Sequence, residues 1–368
     1  MKVAIITYHC APSYGAVLQA YALQEAVRAL GHTSAVIDYV PAWRHYVRLR
    51  DICATPNPAV IVSRWNTYRL TRRTRQFVNA RLALTERRYA SLADLEAAVP
   101  ACEAAICGSD QVWHPKRFDS TGEFDKAYFL AFGGAGAYRR VAYAPSFGVP
   151  TLSPGYRCAI RPWMERFSSI GLRERSAAES LSAELGRDIP WVCDPTLLLG
   201  AEALGRLADG VAHQSRPGLV VSWLSFRREL YLNVFRLLRT LTGAPGAIIG
   251  RPFAAWFESR GTLPGVEEWV SLIRSARFVL TDSFHTTAFA ILFRRPFLVL
   301  AWADASAARN DRLVSLLERL GLSERIVYVW DESVVRRLEQ TPIDWEAVEV
   351  RLARWQADSR RFLQQALT

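Results

Sequence analysis

FVLTDSFHTTAFAILFRRPFLVL, residues 278–300, alternates two apolar runs with a helical pattern. Phe278, Val279 and Leu280 read as a buried strand. The run stops at a short polar turn, Thr281-Asp282-Ser283, and a helical pattern with His285 near its start follows. That pattern ends at Arg294-Arg295-Pro296, because proline cannot continue a helix, and residues 297–300 read as the next strand. A strand–loop–helix–strand unit puts its polar residues at the C-terminal edge of a strand, where open α/β sheets bind ligands. The first helical turn also presents free N–H groups and the positive end of the helix dipole. The segment therefore predicts an anionic ligand with Asp282, Ser283 and His285 around it.

The same alternation recurs outward from it. Residues 2–7 form a strand pattern, 8–15 a loop and 16–30 a helix with Val17, Leu18, Tyr21, Ala22 and Leu23 on one face. Gly31 stands where a helix-terminating glycine belongs, and 33–39 is a second strand. Residues 43–90 read as two arginine-rich helices. Strands are expected at 104–107, 141–144, 168–172 and 191–193, with a helix running to Leu185. A polar stretch at 205–217 reads as a connection. Beyond it come strands at 218–224 and 247–249 and helices at 229–241, 266–275, 312–320 and 345–367. Strands alternating with helices twice over predict an α/β fold of two Rossmann-like, doubly wound domains facing a cleft. The expected division is 1–205, 216–345 and a C-terminal helix at 346–368, and a chain of 368 residues is long for one core.

Composition narrows the class. Half of the residues are hydrophobic, and no repeat or low-complexity tract is seen, so a globular chain is expected throughout. The opening MKVAIITYHC has too short an apolar run for a signal peptide. No run approaches the ~20 apolar residues of a membrane span. A cytoplasmic protein is expected. The six cysteines, Cys10, Cys53, Cys102, Cys107, Cys158 and Cys193, form no CxxC pair, so neither a zinc site nor a disulfide framework is indicated. Net charge is +11, and only Lys2, Lys116 and Lys126 are lysines. Eleven arginines fall between Trp43 and Arg88, against only Asp51 and Glu86. No nucleic-acid-binding module accompanies them. The stretch reads either as a solvated helical face or as a surface that meets anionic lipid or a phosphorylated acceptor at the inner face of the membrane.

Several side chains are candidates for chemistry. His285 can donate to a phosphate or act as a general acid, and Asp282 either orients its imidazole or caps the helix. Arg173, at a strand end, suits a bidentate clamp on phosphate or carboxylate. Arg309, Asn310 and Arg312 form a second cationic group. Ser109, Asp110, Gln111 and Trp113 make a polar loop closed by an aromatic ring, a composition typical of sugar platforms. Tyr14 and Gln19 open the first helix. No GxGxxG follows the first strand, so a dinucleotide is unsupported, and no GK[ST], HExxH or GxSxG is present.

Eight pieces, in order along the chain, resemble one family: SYGAVLQAYAL (13–23), ICGSDQVWHP (106–115), YAPSFG (143–148), LRERSA (172–177), CDPTLLL (193–199), EEWVSLI (267–273), TDSFHTTAFAILFRRPF (281–297) and RNDRLVSLLERLGL (309–322). Together they resemble the polysaccharide pyruvyl transferase family. Two positions depart from its pattern: Thr286 stands where glycine is usual, and Gly171-Leu172 precede Arg173 where Ser-Val is more common. The resemblance implies a GT-B-like fold with phosphoenolpyruvate as donor. It further implies transfer of the pyruvyl group to two hydroxyls of a saccharide as a cyclic ketal, in bacterial cell-surface or exopolysaccharide biosynthesis, with release of phosphate. No metal or cofactor beyond that co-substrate is expected.

Such chemistry needs an anion clamp, a general acid and a general base. Expected donor ligands are Arg173, Ser283, His285, Arg309, Asn310 and Arg312, in the second domain apart from Arg173. Tyr14, Gln19, Ser109, Asp110, Gln111 and Trp113 are expected on the acceptor side. Asp110 is the first choice of base and Asp194 the second. His285 and Asp282 complete the catalytic set. The acceptor is expected to be lipid-linked or nucleotide-linked. A nucleotide-sugar glycosyltransferase of the same fold and a non-catalytic glycan-binding protein are the alternatives.

Overall fold

The computed structural model describes residues 1–41, 47, 49–115, 123–134, 136–211, 218–224, 228–250, 261–304 and 307–368. Trp43, Arg44 and Arg48 of the arginine-rich stretch, Lys116, and residues 212–217 of the expected connection lie outside the described residues, as does the side chain of Arg309.

The first half runs β1 (Lys2–Ile6), α1 (Tyr14–Ala29), β2 (Thr33–Tyr39), α2 (Leu49–Ile52), α3 (Pro58–Arg81), β3 (Leu84–Tyr89), α4 (Leu92–Ala97), β4 (Ala104–Cys107), β5 (Arg139–Tyr143), α5 (Pro154–Met164), β6 (Ser169–Gly171), α6 (Arg175–Leu185) and α7 (Pro195–Gly205). The second runs β7 (Leu219–Trp223), α8 (Arg228–Thr242), β8 (Gly246–Gly250), β9 (Gly261–Thr262), α9 (Val266–Arg274), β10 (Phe278–Thr281), α10 (Phe284–Leu292), β11 (Phe297–Leu300), α11 (Asp311–Leu320), β12 (Ile326–Val327), α12 (Glu332–Gln340) and α13 (Trp345–Leu367).

Each half forms a six-stranded parallel sheet, β3-β2-β1-β4-β5-β6 and β12-β11-β10-β7-β8-β9. Numbered within each half, the two share one order, in which the fourth strand returns beside the first. The strand order therefore reverses between β1 and β4 and between β7 and β10, and doubly wound sheets open a ligand crevice at such points. Every residue of β4, β10 and β11 is buried. Helices cover both faces of these strands, so they read as continuous apolar runs rather than alternating ones.

Local signals account for the element ends. Ser13 caps α1, its Oγ accepting from the Ala16 N–H at 3.4 Å. Gly31 follows the C-cap at φ +84°, a conformation that costs a residue with a Cβ. Asn57, Ser91, Asp194, Ser283 and Asp344 cap later helices in the same way.

Two readings change. Residues 84–89, expected within an arginine-rich helix, form the edge strand β3, whose outer Glu86, Arg87 and Arg88 are exposed. Charged side chains on an edge discourage pairing with another sheet. Residues 191–193 contribute only a single bridge, Leu172 to Trp191.

A continuous apolar core joins the halves, reaching from Val3 and Ile5 through Val17, Leu197 and Phe289 to Val220 and Val279. The last helix returns to the first domain: Ser359 Oγ accepts from the Cys193 N–H at 2.9 Å, and Trp355 Nε1 donates to the Trp191 carbonyl at 3.0 Å. No helix among the described residues is long and apolar enough to cross a membrane.

Candidate active site

The ends of β4, β5 and β6 turn into the space against α10. Asp110 and Ala144 take positive φ, +75° and +57°. Non-glycine residues there mark a tight turn, and aspartate tolerates it better than most. The turn leaves the Asp110 side chain partly exposed and Ser109 fully buried. Thr7 Oγ1 holds the loop by donating to the Ser109 carbonyl at 2.8 Å, and Gln19 Nε2 donates to Thr7 Oγ1 at 2.9 Å.

Beside it lies a buried ionic network. Asp194 caps α7, its Oδ1 accepting from the Thr196 N–H at 3.0 Å and Oγ1 at 2.7 Å. Its Oδ2 accepts from Ser109 Oγ at 2.8 Å and from Arg173 Nη1 at 3.1 Å. Both side chains of the Arg173–Asp194 pair are 0% exposed. Arg173 also donates through Nε to Glu174 Oε1 at 3.3 Å, and its guanidinium carbon stands 4.5 Å from the centre of the Phe284 ring.

Through that stacking the network meets the second domain. His285, the second residue of α10, is 8% exposed, and its Nε2 lies 3.7 Å from Asp194 Oδ2. That is an ion-pair distance rather than a hydrogen bond. The opposite face of the imidazole packs on α1 at Gly15, where a built Cβ would overlap the ring. One residue before Gly15, Tyr14 stacks on Trp269 and donates to the Pro264 carbonyl at 2.8 Å. The start of α1 therefore closes over the histidine.

The charges push one another. Burial raises Asp194, but His285 and Arg173 outweigh it and hold the carboxyl well below the usual range. Asp110 is lowered in the same way against its burial, by His285 and Arg173. Burial and the nearby Arg173 charge lower Arg312. Burial raises Glu174 despite Arg173 beside it. Four buried polar atoms here lack partners: Arg173 Nη2, Arg312 Nε, His285 Nε2 and Glu174 Oε2. His285 Nε2 at least faces Asp194, but the two guanidinium donors face no acceptor, and buried donors left open are costly, so the pair points to an anion.

The other expected residues fall into place around this centre or away from it. Ser283 caps α10, with its Oγ taking the Thr286 N–H at 3.4 Å. Asp282 neither caps the helix nor reaches the imidazole. Its Oδ1 accepts from the Leu224 N–H at 2.8 Å and ties the β10 turn to the end of β7, while the carboxylate that faces His285 is Asp194. Asn310 bonds the Trp302 backbone twice, at 3.0 and 2.7 Å, and so shapes the turn ahead of α11. Trp113 is 0% exposed, stacked on Phe129 and donating to the Tyr128 carbonyl at 2.9 Å, so neither of its faces is open to a sugar. Gln111 packs against Gly148, and Tyr14, Gln19 and Ser109 act as braces. Glu174 is not among the site residues that the sequence predicts. Its place at a strand end, directly after the clamp arginine, was the available signal.

The profile of the family described as polysaccharide pyruvyl transferase matches residues 14–304, most of the chain. The chain belongs to the polysaccharide pyruvyl transferase family. No curated protein matches it in sequence. Among solved structures it is similar to the UDP-GlcNAc 2-epimerase of Neisseria meningitidis bound to UDP-GlcNAc, with a TM-score of 0.54 at 9% identity over 100% of this chain and 99% of that one. It is likewise similar to S. aureus MnaA in complex with UDP, with a TM-score of 0.50 at 11% identity over 95% and 90%. At such identities the likeness is one of fold, a GT-B-like pair of Rossmann-type domains. In this pyruvyl transferase the matched span holds Tyr14, Asp110, Arg173, Asp194 and His285, and stops short of Arg312.

Proposed function

We propose that this pyruvyl transferase takes the pyruvyl group of phosphoenolpyruvate and joins it to two hydroxyls of a saccharide as a cyclic ketal, releasing phosphate. The observation that carries the reading is the pair of unbonded, solvent-shielded guanidinium donors from the two domains, Arg173 Nη2 and Arg312 Nε, with His285 Nε2 beside Asp194 at ion-pair distance only. The donor has a phosphate and a carboxylate, and two guanidiniums with an imidazole match two anionic groups. Arg312 is held down by burial and by Arg173, so an anion between the two guanidiniums relieves both. Arg173 and Arg312 hold the donor, His285 holds the phosphate and protonates it as it leaves, and Asp110 takes the proton of the attacking hydroxyl. An anion bound at Arg173 and His285 weakens the two charges that lower Asp110, making it a better base when the donor is present. No cofactor beyond the co-substrate is needed.

The proposed approach of the acceptor is along α3. This helix carries six arginines and no acid. Arg69, Arg72 and Arg75 are exposed and make no ion pair among the described residues, and Trp65, 44% exposed, shares their face. Such a face suits a peripheral contact with anionic lipid at the inner membrane surface, each arginine contributing about 1 kcal/mol, and hence a lipid-linked acceptor. Flotation with phosphatidylglycerol vesicles at low salt should carry the protein up, and reversing Arg69, Arg72 and Arg75 to Glu should abolish it. Wild type left at the bottom of the gradient would remove the lipid contact.

The reaction is tested by phosphate release from phosphoenolpyruvate across a panel of saccharide acceptors. Acceptor-dependent release, with product heavier than acceptor by one pyruvyl ketal, is expected. Thermal protection by UDP or GDP and none by phosphoenolpyruvate would favour a nucleotide-sugar glycosyltransferase instead.

A further inference from the structure

We propose that Glu174 is the acid that protonates the methylene carbon of the donor, an inference that rests on the transfer reaction above. Glu174 occupies the N-cap position of α6, where a carboxylate ordinarily accepts from the first helical turn, yet its side chain makes no cap bond. It turns inward and is 1% exposed. Oε1 accepts from Arg173 Nε, and Oε2 is buried with no close hydrogen bond, the Ser146 hydroxyl near the carboxyl being outweighed by burial. The carboxyl is thus one guanidinium away from Asp194 and from the ring stacked beside His285.

The stoichiometry asks for such a group. One proton must reach the donor's methylene carbon and another the departing phosphate. His285 supplies one of them. Asp110 and Asp194 are held below the usual carboxylate range, which makes them proton acceptors. Glu174 moves the other way, because burial outweighs Arg173, and an anion arriving at Arg173 pushes it further up. Asp311 is also raised, but its Oδ2 is taken by Ser176 Oγ at 2.8 Å.

The π pair of the donor's C2=C3 bond takes the Glu174 proton, giving a methyl group and a cation at C2 shared with the ester oxygen. An acceptor hydroxyl oxygen bonds to C2, and its proton passes to Asp110. The C2–O bond to phosphate breaks, the pair leaving with phosphate, which gains a proton from His285. The second hydroxyl closes the ketal. Its proton and the one held by Asp110 restore His285 and Glu174.

Glu174→Gln keeps the shape and the acceptor for Arg173 Nε but carries no transferable acid proton. Loss of a general acid lowers kcat by ~10²–10⁴, with the dissociation constant for phosphoenolpyruvate by calorimetry within about threefold of wild type. Because the acid works protonated, wild-type kcat should fall on the alkaline side, and the residual activity of Glu174→Gln should fall there less steeply. Glu174→Asp should recover part of the rate. A Gln variant with kcat within about threefold of wild type overturns the inference. So does a wild type with no alkaline limb, or donor affinity that falls in step with kcat. Wild type that releases no phosphate with any acceptor overturns the transfer reaction itself, an outcome separate from an active Gln variant.

Discussion

Replacing Gly15 with alanine sets two opposed effects against each other. Gly15 lies in the first turn of α1 with ordinary helical, negative φ. By propensity alone, alanine should stabilise the helix by roughly 0.5–1 kcal/mol. The new methyl, however, overlaps the His285 ring and stands 2.8 Å from His285 Cβ. Cβ is anchored to α10 and cannot swing aside as a flexible side-chain tip would. Either the imidazole leaves its place beside Asp194 or α1 lifts from α10. Overpacking of this kind costs roughly 1–3 kcal/mol, more than the propensity gain. The cost falls on the closed site rather than on either sheet. At 1.36 kcal/mol per factor of ten, kcat/KM for phosphoenolpyruvate should drop about 5- to 150-fold. The assay is continuous phosphate release against donor concentration, with a melting curve on the same sample to show that the fold persists. If Gly15→Ala melted higher than wild type and kept kcat/KM within about twofold, the close approach of α1 to His285 would have no part in forming the site.

Arg173→Met should strip the buried Asp194 carboxylate of its guanidinium, at a cost of about 3–5 kcal/mol, read as a fall in Tm by calorimetry; a loss below about 1 kcal/mol would place the pair in water after all. Asp194 is depressed in the folded chain, so its contribution is complete above its ordinary value of about 4 and is lost as pH falls below it. The Tm of wild type should therefore decline between about pH 5 and pH 3 more steeply than that of Asp194→Asn, and equal slopes would contradict the assignment. With Arg173, Arg312 and His285 supplying the positive charge, excess EDTA should leave phosphate release unchanged; a loss restored by one added divalent ion would require a metal in the mechanism.

Much of the architecture is legible one segment at a time. The 278–300 segment folds as β10, α10 and β11 where its apolar runs and its polar turn place them, because fully buried parallel strands must be apolar on both faces and helices announce their ends with caps. The start of β2 and the glycine beyond α1 follow from equally local rules. The edge strand β3 escaped because LTERRY is charged and carries no periodicity of a half-buried strand. Its pairing with β2 makes it a strand. Trp113 shows the same limit at the level of a side chain: a polar loop ending in tryptophan looks alike whether the ring turns to a ligand or to Phe129.

The sequence by itself determined the two doubly wound sheets, the family, and the polar residues waiting at the strand ends. Local periodicity and capping, together with eight ordered pieces, carry that information within short windows. Only the tertiary structure decided which of those residues meet. Ser109, Arg173, Asp194 and His285 come together because the fourth strand returns beside the first in each sheet and α10 packs against α1 and α7. It also decided that Asp194 rather than Asp282 faces the histidine, and that Glu174 turns inward instead of capping its helix. Such choices depend on through-space charge and burial between residues far apart in the chain, and no window of sequence holds both partners.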